Sequence, residues 1–233
     1  MRIETLPNHL GLILDGNRRW ARARNLPVWM GHKKGAEKLE EVLNWCLEAG
    51  IKQISVYVLS TENIQNRPKL EIKKIFQLLY EYLKRWERGE FKVIEKYRVK
   101  VRVFGNLKLL PKKLRELIKK LIKKTSKYKE RFLNLLIAYG AKFEILQAVK
   151  RLIRKVKEKK RIKETDIERY LMIKEPVDLI IRTGGYSRLS NFLVLQAAYA
   201  EIWVTKTLWP DFSKKEFYKA LKWYSNLKRN FGK

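Results

Sequence analysis

The chain alternates short apolar runs with amphipathic segments from one end to the other, and few architectures accept that order. Residues 10–14, 53–59, 99–104, 133–138, 177–181 and 202–204 read as strands. Between them, residues 35–49, the stretch after Pro68, and residues 111–127, 143–159, 165–171, 191–199 and 212–229 read as helices. After Pro68, for example, Ile72, Ile75, Phe76, Leu79 and Leu83 recur on one stripe. Six strands joined by helices require right-handed crossovers, hence a mostly parallel six-stranded sheet covered on both faces. No Pro/Gly/Ser-rich linker and no repeat divides the sequence, so one α/β domain spanning residues 1–233 is expected.

Composition narrows the setting. Hydrophobic residues make up 45% of the chain, enough for a substantial core. No apolar run approaches the roughly 20 residues that cross a bilayer. The N-terminal Met1-Arg2-Ile3-Glu4-Thr5 does not read as a signal or transit peptide. The single cysteine, Cys46, cannot form an internal disulfide and falls on a helical stripe, which fits a core residue in a reducing, cytoplasmic setting. Lys and Arg number 54 against 24 Asp and Glu, a net charge of +30. Such a balance favours polyanions (nucleic acid, an anionic membrane or phosphorylated substrates), although much of it is spread over solvated helix faces.

In open parallel sheets ligands bind beyond the carboxyl ends of the strands, and the sequence collects its chemistry there. The first strand ends in Asp15-Gly16-Asn17-Arg18-Arg19, leading into Trp20 and a helix-compatible stretch. A carboxylate, an unhindered turn and two arginines suit a phosphate group and a divalent ion. The second strand leads into Ser60-Thr61-Glu62-Asn63, with Arg67-Pro68 beyond. The fifth ends in Arg182-Thr183-Gly184-Gly185, then Arg188, Leu189, Ser190 and Asn191. Arginine's planar fork matches phosphate oxygens. Glu201, just before the last strand, is a candidate second metal carboxylate beside Asp15. Phosphate-loop and dinucleotide-turn motifs are missing, and two histidines with one cysteine make a zinc site or a Cys–His pair improbable. What is left is a site with at least two anion-binding patches and no evident covalent nucleophile.

The blocks at residues 9–20, 31–32, 60–68, 181–192 and 198–212 together resemble the signature blocks of the cis-prenyltransferases, the undecaprenyl/polyprenyl diphosphate synthase family, in the family's order. The missing Asp-Asp-x-x-Asp separates the chain from the all-helical trans-prenyltransferases. The resemblance implies sequential condensation of isopentenyl diphosphate onto an allylic diphosphate, farnesyl or geranylgeranyl, to a long-chain polyprenyl diphosphate that serves as precursor of a glycosyl carrier lipid. It implies Mg2+ held by Asp15 and Glu201, and an allylic diphosphate held by Gly16, Asn17, Arg18 and Arg19 with His32 and Arg67. Trp20 belongs to the same block. Arg182, Arg188 and Ser190, with Leu189 between them, would bind isopentenyl diphosphate. Ser60, Thr61, Glu62 and Asn63 would lie near the proton that is lost, with Asn63 orienting water or a phosphate oxygen, since an amide is a poor base. An apolar tunnel, walled by the helix carrying Ile72, Phe76, Leu79 and Leu83, would house the chain. A homodimer and peripheral contact with anionic membrane are also implied.

The sequence departs from the bacterial pattern in four places. Val28 stands where an arginine is common, and Arg18 replaces a glycine, as in archaeal and eukaryotic relatives. The segment 60–68 is one residue longer, with Ile64 in place of an aromatic residue. The C-terminal Arg229-Asn230-Phe231-Gly232 misses the Arg-x-Gly ending by one position. His9 reads as structural, Tyr186 and Ser187 as loop spacers, and residues 209–212 as packing on the sheet edge. Two rivals remain: a catalytically weak partner subunit of a heteromeric enzyme, and a basic nucleic-acid-binding protein. The first is disfavoured because Asp15, Arg19, Asn63, Arg182, Arg188 and Glu201 are all present; the second predicts steeply salt-dependent binding without Mg2+.

Overall fold

Runs too apolar for a solvated strand become the centre of the molecule. In the computed structural model, which describes residues 3–155 and 163–229, β1 (His9–Ile13), β2 (Gln53–Ser60), β3 (Val99–Phe104), β4 (Arg131–Tyr139), β5 (Leu179–Arg182) and β6 (Glu201–Val204) form one sheet. The order is β3-β4-β2-β1-β5-β6, and every neighbouring pair is parallel. The helices are α1 (Asn17–Arg22), α2 (Val28–Glu48), α3 (Thr61–Asn66), α4 (Lys69–Arg88), α5 (Val93–Lys96), α6 (Lys112–Thr125), α7 (Ala141–Lys155), α8 (Glu164–Glu168) and α9 (Lys214–Ser225).

Alternation along each strand divides the interior in two. Leu10 and Leu12 of β1 join a large cluster with Leu39, Leu43 and Cys46 of α2, Ile72 and Ile75 of α4, Leu114 and Leu121 of α6, and Phe217 and Leu221 of α9. Ile13 joins a smaller cluster on the other face with Leu136, Tyr139, Ile180, Phe192 and Leu193. Burying each such leucine or isoleucine is worth about 1.5–3 kcal/mol. Cys46 is fully buried, which pushes its thiol pKa up and leaves it a packing residue.

His9 is structural, as expected. It lies at the start of a polar ladder across four strands. Its Nε2 is 2.7 Å from Ser55 Oγ, which accepts from Asn134 Nδ2 at 2.8 Å. Asn134 Oδ1 in turn accepts from Arg102 Nε at 2.7 Å. Burial depresses the His9 pKa to about 4.

Four elements differ from the sequence expectation. Helix α2 begins at Val28, seven residues before the expected position 35. Its Gly31 and Gly35 look like breakers, but they let α1 pack close: a Cβ at Gly35 would stand 2.2 Å from Asn17 Oδ1. Helix α1 likewise starts at Asn17 rather than near Trp20. Residues 61–66, read as a polar turn, form the short helix α3, capped by Ser60 Oγ accepting from Asn63 N at 3.0 Å. Conversely, the helix expected at 191–199 is a series of turns. Ser190, Asn191 and Leu193 have φ of 51°, 65° and 41°, incompatible with a right-handed helix start. The expected helix end at 159 and the C-terminal 230–232 fall outside the described residues.

Candidate active site

Three strand ends converge as the parallel order requires. Because β1 lies between β2 and β5, Asp15 is flanked by the loops after both neighbours. Its Oδ2 accepts from Arg182 Nη2 at 2.8 Å, and its Oδ1 from Arg19 Nη2 at 3.2 Å. Its backbone oxygen accepts from Thr183 Oγ1 at 2.7 Å and from Trp209 N at 3.0 Å. The Trp209 indole donates to Gly35 O at 2.8 Å, so the 209–212 segment, with Trp209 and Phe212 buried, braces Asp15 against α2. Arg182 is almost fully buried and also donates to Ser190 Oγ at 2.9 Å and to the Arg188 carbonyl. Gly184, at φ 85°, brings its carbonyl to Arg19 Nη2 at 2.8 Å, and a Cβ there would stand 2.4 Å from that nitrogen.

Tyr186 is more than a loop spacer. The Arg19 guanidinium lies 4.8 Å from its ring centroid and that of Arg188 lies 4.1 Å away, so one exposed ring holds two cations at the mouth.

A second cationic group forms around Glu71, which sequence reasoning missed. Its Oε1 lies 3.5 Å from Arg18 Nε, 3.1 Å from His32 Nε2 and 3.2 Å from Arg67 Nη1. Arg67 also donates to Asn63 Oδ1 at 2.9 Å, which fixes the amide. Burial lowers the pKa of both His32 and Arg67. Spacing could have found this carboxylate, because Arg67 and Glu71 stand i, i+4 across the start of α4. Nearby, Glu62 accepts from Thr61 Oγ1 at 3.1 Å and from Asn191 Nδ2 at 2.6 Å. Burial alone would raise its pKa, but these bonds outweigh it and hold the carboxyl below its usual range.

The two groups share a mouth, since Arg18 and Arg19 are consecutive on α1 and serve one each. Gly16 caps that helix at its start. Three buried polar atoms here have no hydrogen-bond partner: Asn17 Oδ1, Arg18 Nε and Arg182 Nε. Asn17 and His32 also line an apolar cavity of about 100 Å3 between α2, α4 and the sheet, with Leu39, Val58, Ile75, Leu79, Leu83 and Trp86. It lies along the helix expected to wall a tunnel, α4. A second, polar pocket of about 540 Å3 adjoins Ser60, Glu62, Asn63, Ser190 and Asn191.

Two expected site residues lie elsewhere. Trp20 donates its indole N–H to Asp211 Oδ1 at 2.7 Å and stacks under Arg24, clamping α1 to the loop before α9. Glu201 starts β6 and aligns with Leu179, which aligns with Leu10. It therefore lies about 16 Å along the strands from Asp15, towards the opposite end of the sheet. There it meets Arg229 at 3.8 Å. Asp15 and Glu201 of one chain do not share an ion, because a residue at the amino end of a parallel strand lies away from the carboxyl end. Among the described residues no cluster of three His, Cys, Asp or Glu could hold a metal by itself. The single carboxylate of Asp15 fits Mg2+ only when phosphate oxygens and water complete the shell.

The sequence model for putative undecaprenyl diphosphate synthases matches residues 13–232. A tritrans,polycis-undecaprenyl-diphosphate synthase (geranylgeranyl-diphosphate specific) from Methanopyrus kandleri is 43% identical over 98% of this chain and 85% of its own. The enzyme of the same name from Sulfurisphaera tokodaii is 45% identical, over 97% and 88%. Among solved structures, lavandulyl diphosphate synthase from Lavandula x intermedia, in complex with dimethylallyl diphosphate, superposes with a TM-score of 0.91 at 28% identity, covering 98% of this chain and 99% of that one. With a match over almost its whole length, this chain belongs to the undecaprenyl diphosphate synthase family and is a cis-prenyltransferase.

Proposed function

We propose that the protein extends an allylic diphosphate with successive isopentenyl diphosphate units, with Mg2+, giving a long-chain polyprenyl diphosphate for a glycosyl carrier lipid. The observation that carries this reading is the pairing of two cationic groups in one mouth beside an apolar cavity. Geranylgeranyl diphosphate is the favoured starter, because the Methanopyrus and Sulfurisphaera relatives carry that specificity in their names.

The allylic diphosphate sits on Arg18, His32 and Arg67 with Gly16 and Asn17, and its tail enters the cavity that Asn17 and His32 border. Arg18 supplies charge that Val28 does not. Isopentenyl diphosphate sits on Arg182, Arg188 and Ser190, beside Leu189 and the buried Arg182 Nε that lacks an acceptor. Arg19, held by Asp15 and Tyr186, stands between the two. Asp15, with phosphate oxygens, holds Mg2+, which when bound supplies charge neutralisation for the departing diphosphate. Arginines that are already oriented stabilise charge where it develops, and side-by-side binding supplies positioning. As the new carbon–carbon bond forms, the allylic diphosphate leaves and isopentenyl diphosphate loses a proton. Asn63, its oxygen engaged by Arg67, orients the group that takes that proton and is not itself the base.

The chain acts as a homodimer at the cytoplasmic face of an anionic membrane. No described helix is long and apolar enough to cross a bilayer. A second copy is what could carry Glu201, on the edge strand β6, to another chain's Asp15. The test is labelled isopentenyl diphosphate with Mg2+ and geranyl, farnesyl or geranylgeranyl diphosphate, the products being sized by chromatography. Long products, best with geranylgeranyl diphosphate and lost in Asp15→Ala, support the reading. No product from the folded protein with any starter overturns it in favour of an accessory subunit.

A further inference from the structure

Helix α4 separates two apolar spaces. Its Ile75, Leu79 and Leu83 face the apolar cavity beside α2. Ile72, Phe76 and Tyr80 instead line an open groove of about 680 Å3 against α6, floored by Leu114. The rim of the groove is cationic: among the described residues Lys69, Lys73 and Lys113 are exposed and form no ion pair, and Glu81 is the one carboxylate that lines the groove with them. The neighbouring α6 carries seven Lys or Arg and one Glu in fourteen residues. Two apolar side chains protrude from this basic field. Leu70, in the first turn of α4, is 79% exposed, and Leu109, two residues before Pro111 on the groove wall, is 41% exposed.

Cations alone would suit any polyanion. Binding to a nucleic-acid backbone uses lysines, arginines and stacked aromatic rings, and gives exposed leucines no role. An anionic bilayer uses both features: its headgroups pair with the lysines, while Leu70, Leu109 and Tyr80 sink to the acyl boundary. We propose that the α4–α6 groove and its lysine rim dock on an anionic lipid bilayer. Helix α4 is then the wall between that bilayer and the cavity in which the lipid product grows, a placement that rests on the function proposed above.

Co-sedimentation with phosphatidylcholine vesicles, with and without 30% phosphatidylglycerol, tests the surface. The wild type should partition onto the anionic vesicles alone. Lys69→Glu/Lys73→Glu/Lys113→Glu should weaken that partitioning by about a hundredfold. An equal charge change outside the groove, Lys150→Glu/Arg154→Glu/Lys215→Glu, should weaken it several-fold at most. Leu70→Ser/Leu109→Ser, with charge unchanged, should lose most of the binding. Circular dichroism and prenyl transfer from a soluble starter keep folding and chemistry in view, since none of these residues belongs to the active site. Equal loss in both charge triples, binding retained in the groove triple, or no wild-type binding overturns the proposal. So does a groove that binds an RNA or DNA duplex but no vesicle. Vesicle binding without prenyl transfer would instead leave the docking surface standing and remove the proposed reaction.

Discussion

Two regions of the same sheet bury polar side chains in opposite ways. In the amino-terminal half of the strands, the ladder His9–Ser55–Asn134–Arg102 closes on itself. Its charges are matched by carboxylates, Arg102 by Glu175 and, nearby, Arg229 by Asp178 and Glu201. Two nitrogens in this half, Arg102 Nη2 and Arg131 Nε, lack a hydrogen-bond partner. At the carboxyl ends, five arginines (18, 19, 67, 182 and 188) face three carboxylates (Asp15, Glu62 and Glu71), and three buried polar atoms have no hydrogen-bond partner. Burying polar groups is compatible with either architecture or chemistry. Surplus cation and unmet hydrogen-bonding capacity mark the end that takes a ligand.

The largest effect that could break this contrast is on turnover. Asp15→Ala should cut kcat by about a thousandfold in a steady-state assay. The melting temperature should also fall, because the nearly buried Arg182 keeps Ser190 and the Arg188 carbonyl but loses its carboxylate, while circular dichroism should still show a folded chain. In the ladder the consequences invert. Asn134→Ala leaves Ser55 and Arg102 without their shared partner and should cost about 3 kcal/mol in urea unfolding, with kcat per folded molecule unchanged.

Acidity sharpens the comparison. His9 titrates near 4 when folded, against 6.5 when unfolded, so between those values the unfolded chain binds more protons. Its contribution is complete above pH 6.5 and is lost as the pH falls towards 4, about 3 kcal/mol in all. His9→Gln should flatten that part of the stability–pH curve, read by denaturant titrations at several pH values. The smallest effect concerns Tyr186. Tyr186→Leu removes two cation–π contacts and should raise KM for a diphosphate substrate by up to about tenfold, while Tyr186→Phe should not.

Much of this was legible in the sequence because it was periodic or terminal. The six strands follow from apolar runs, and the clusters after Leu14, Leu59 and Ile181 from the rule that parallel strands present ligands at their carboxyl ends. The same rule, applied to Glu201, would have set it apart from Asp15, since it stands at the amino end of its strand. Helix α3 has six residues, too few to show a period, and only the Ser60 cap announces it. The turns at 191–199 escaped because left-handed backbone at a serine, an asparagine and a leucine leaves little trace in composition. Glu71 and Tyr186 went unread for a different reason. Each has one partner close in sequence, Arg67 and Arg188, but Arg18 and Arg19 come from α1, and contact between distant segments is not written in local spacing.

The central claim is that surplus cation binds two diphosphates at once, each on its own group. Calorimetric titration of isopentenyl diphosphate, with Mg2+ and with or without a non-cleavable allylic thiolodiphosphate, addresses it most directly. The account predicts that each ligand binds in the presence of the other, that Arg182→Ala abolishes isopentenyl diphosphate binding alone, and that Arg67→Ala abolishes analogue binding alone. Mutual displacement of the two ligands, or equal loss of both in each variant, would contradict it.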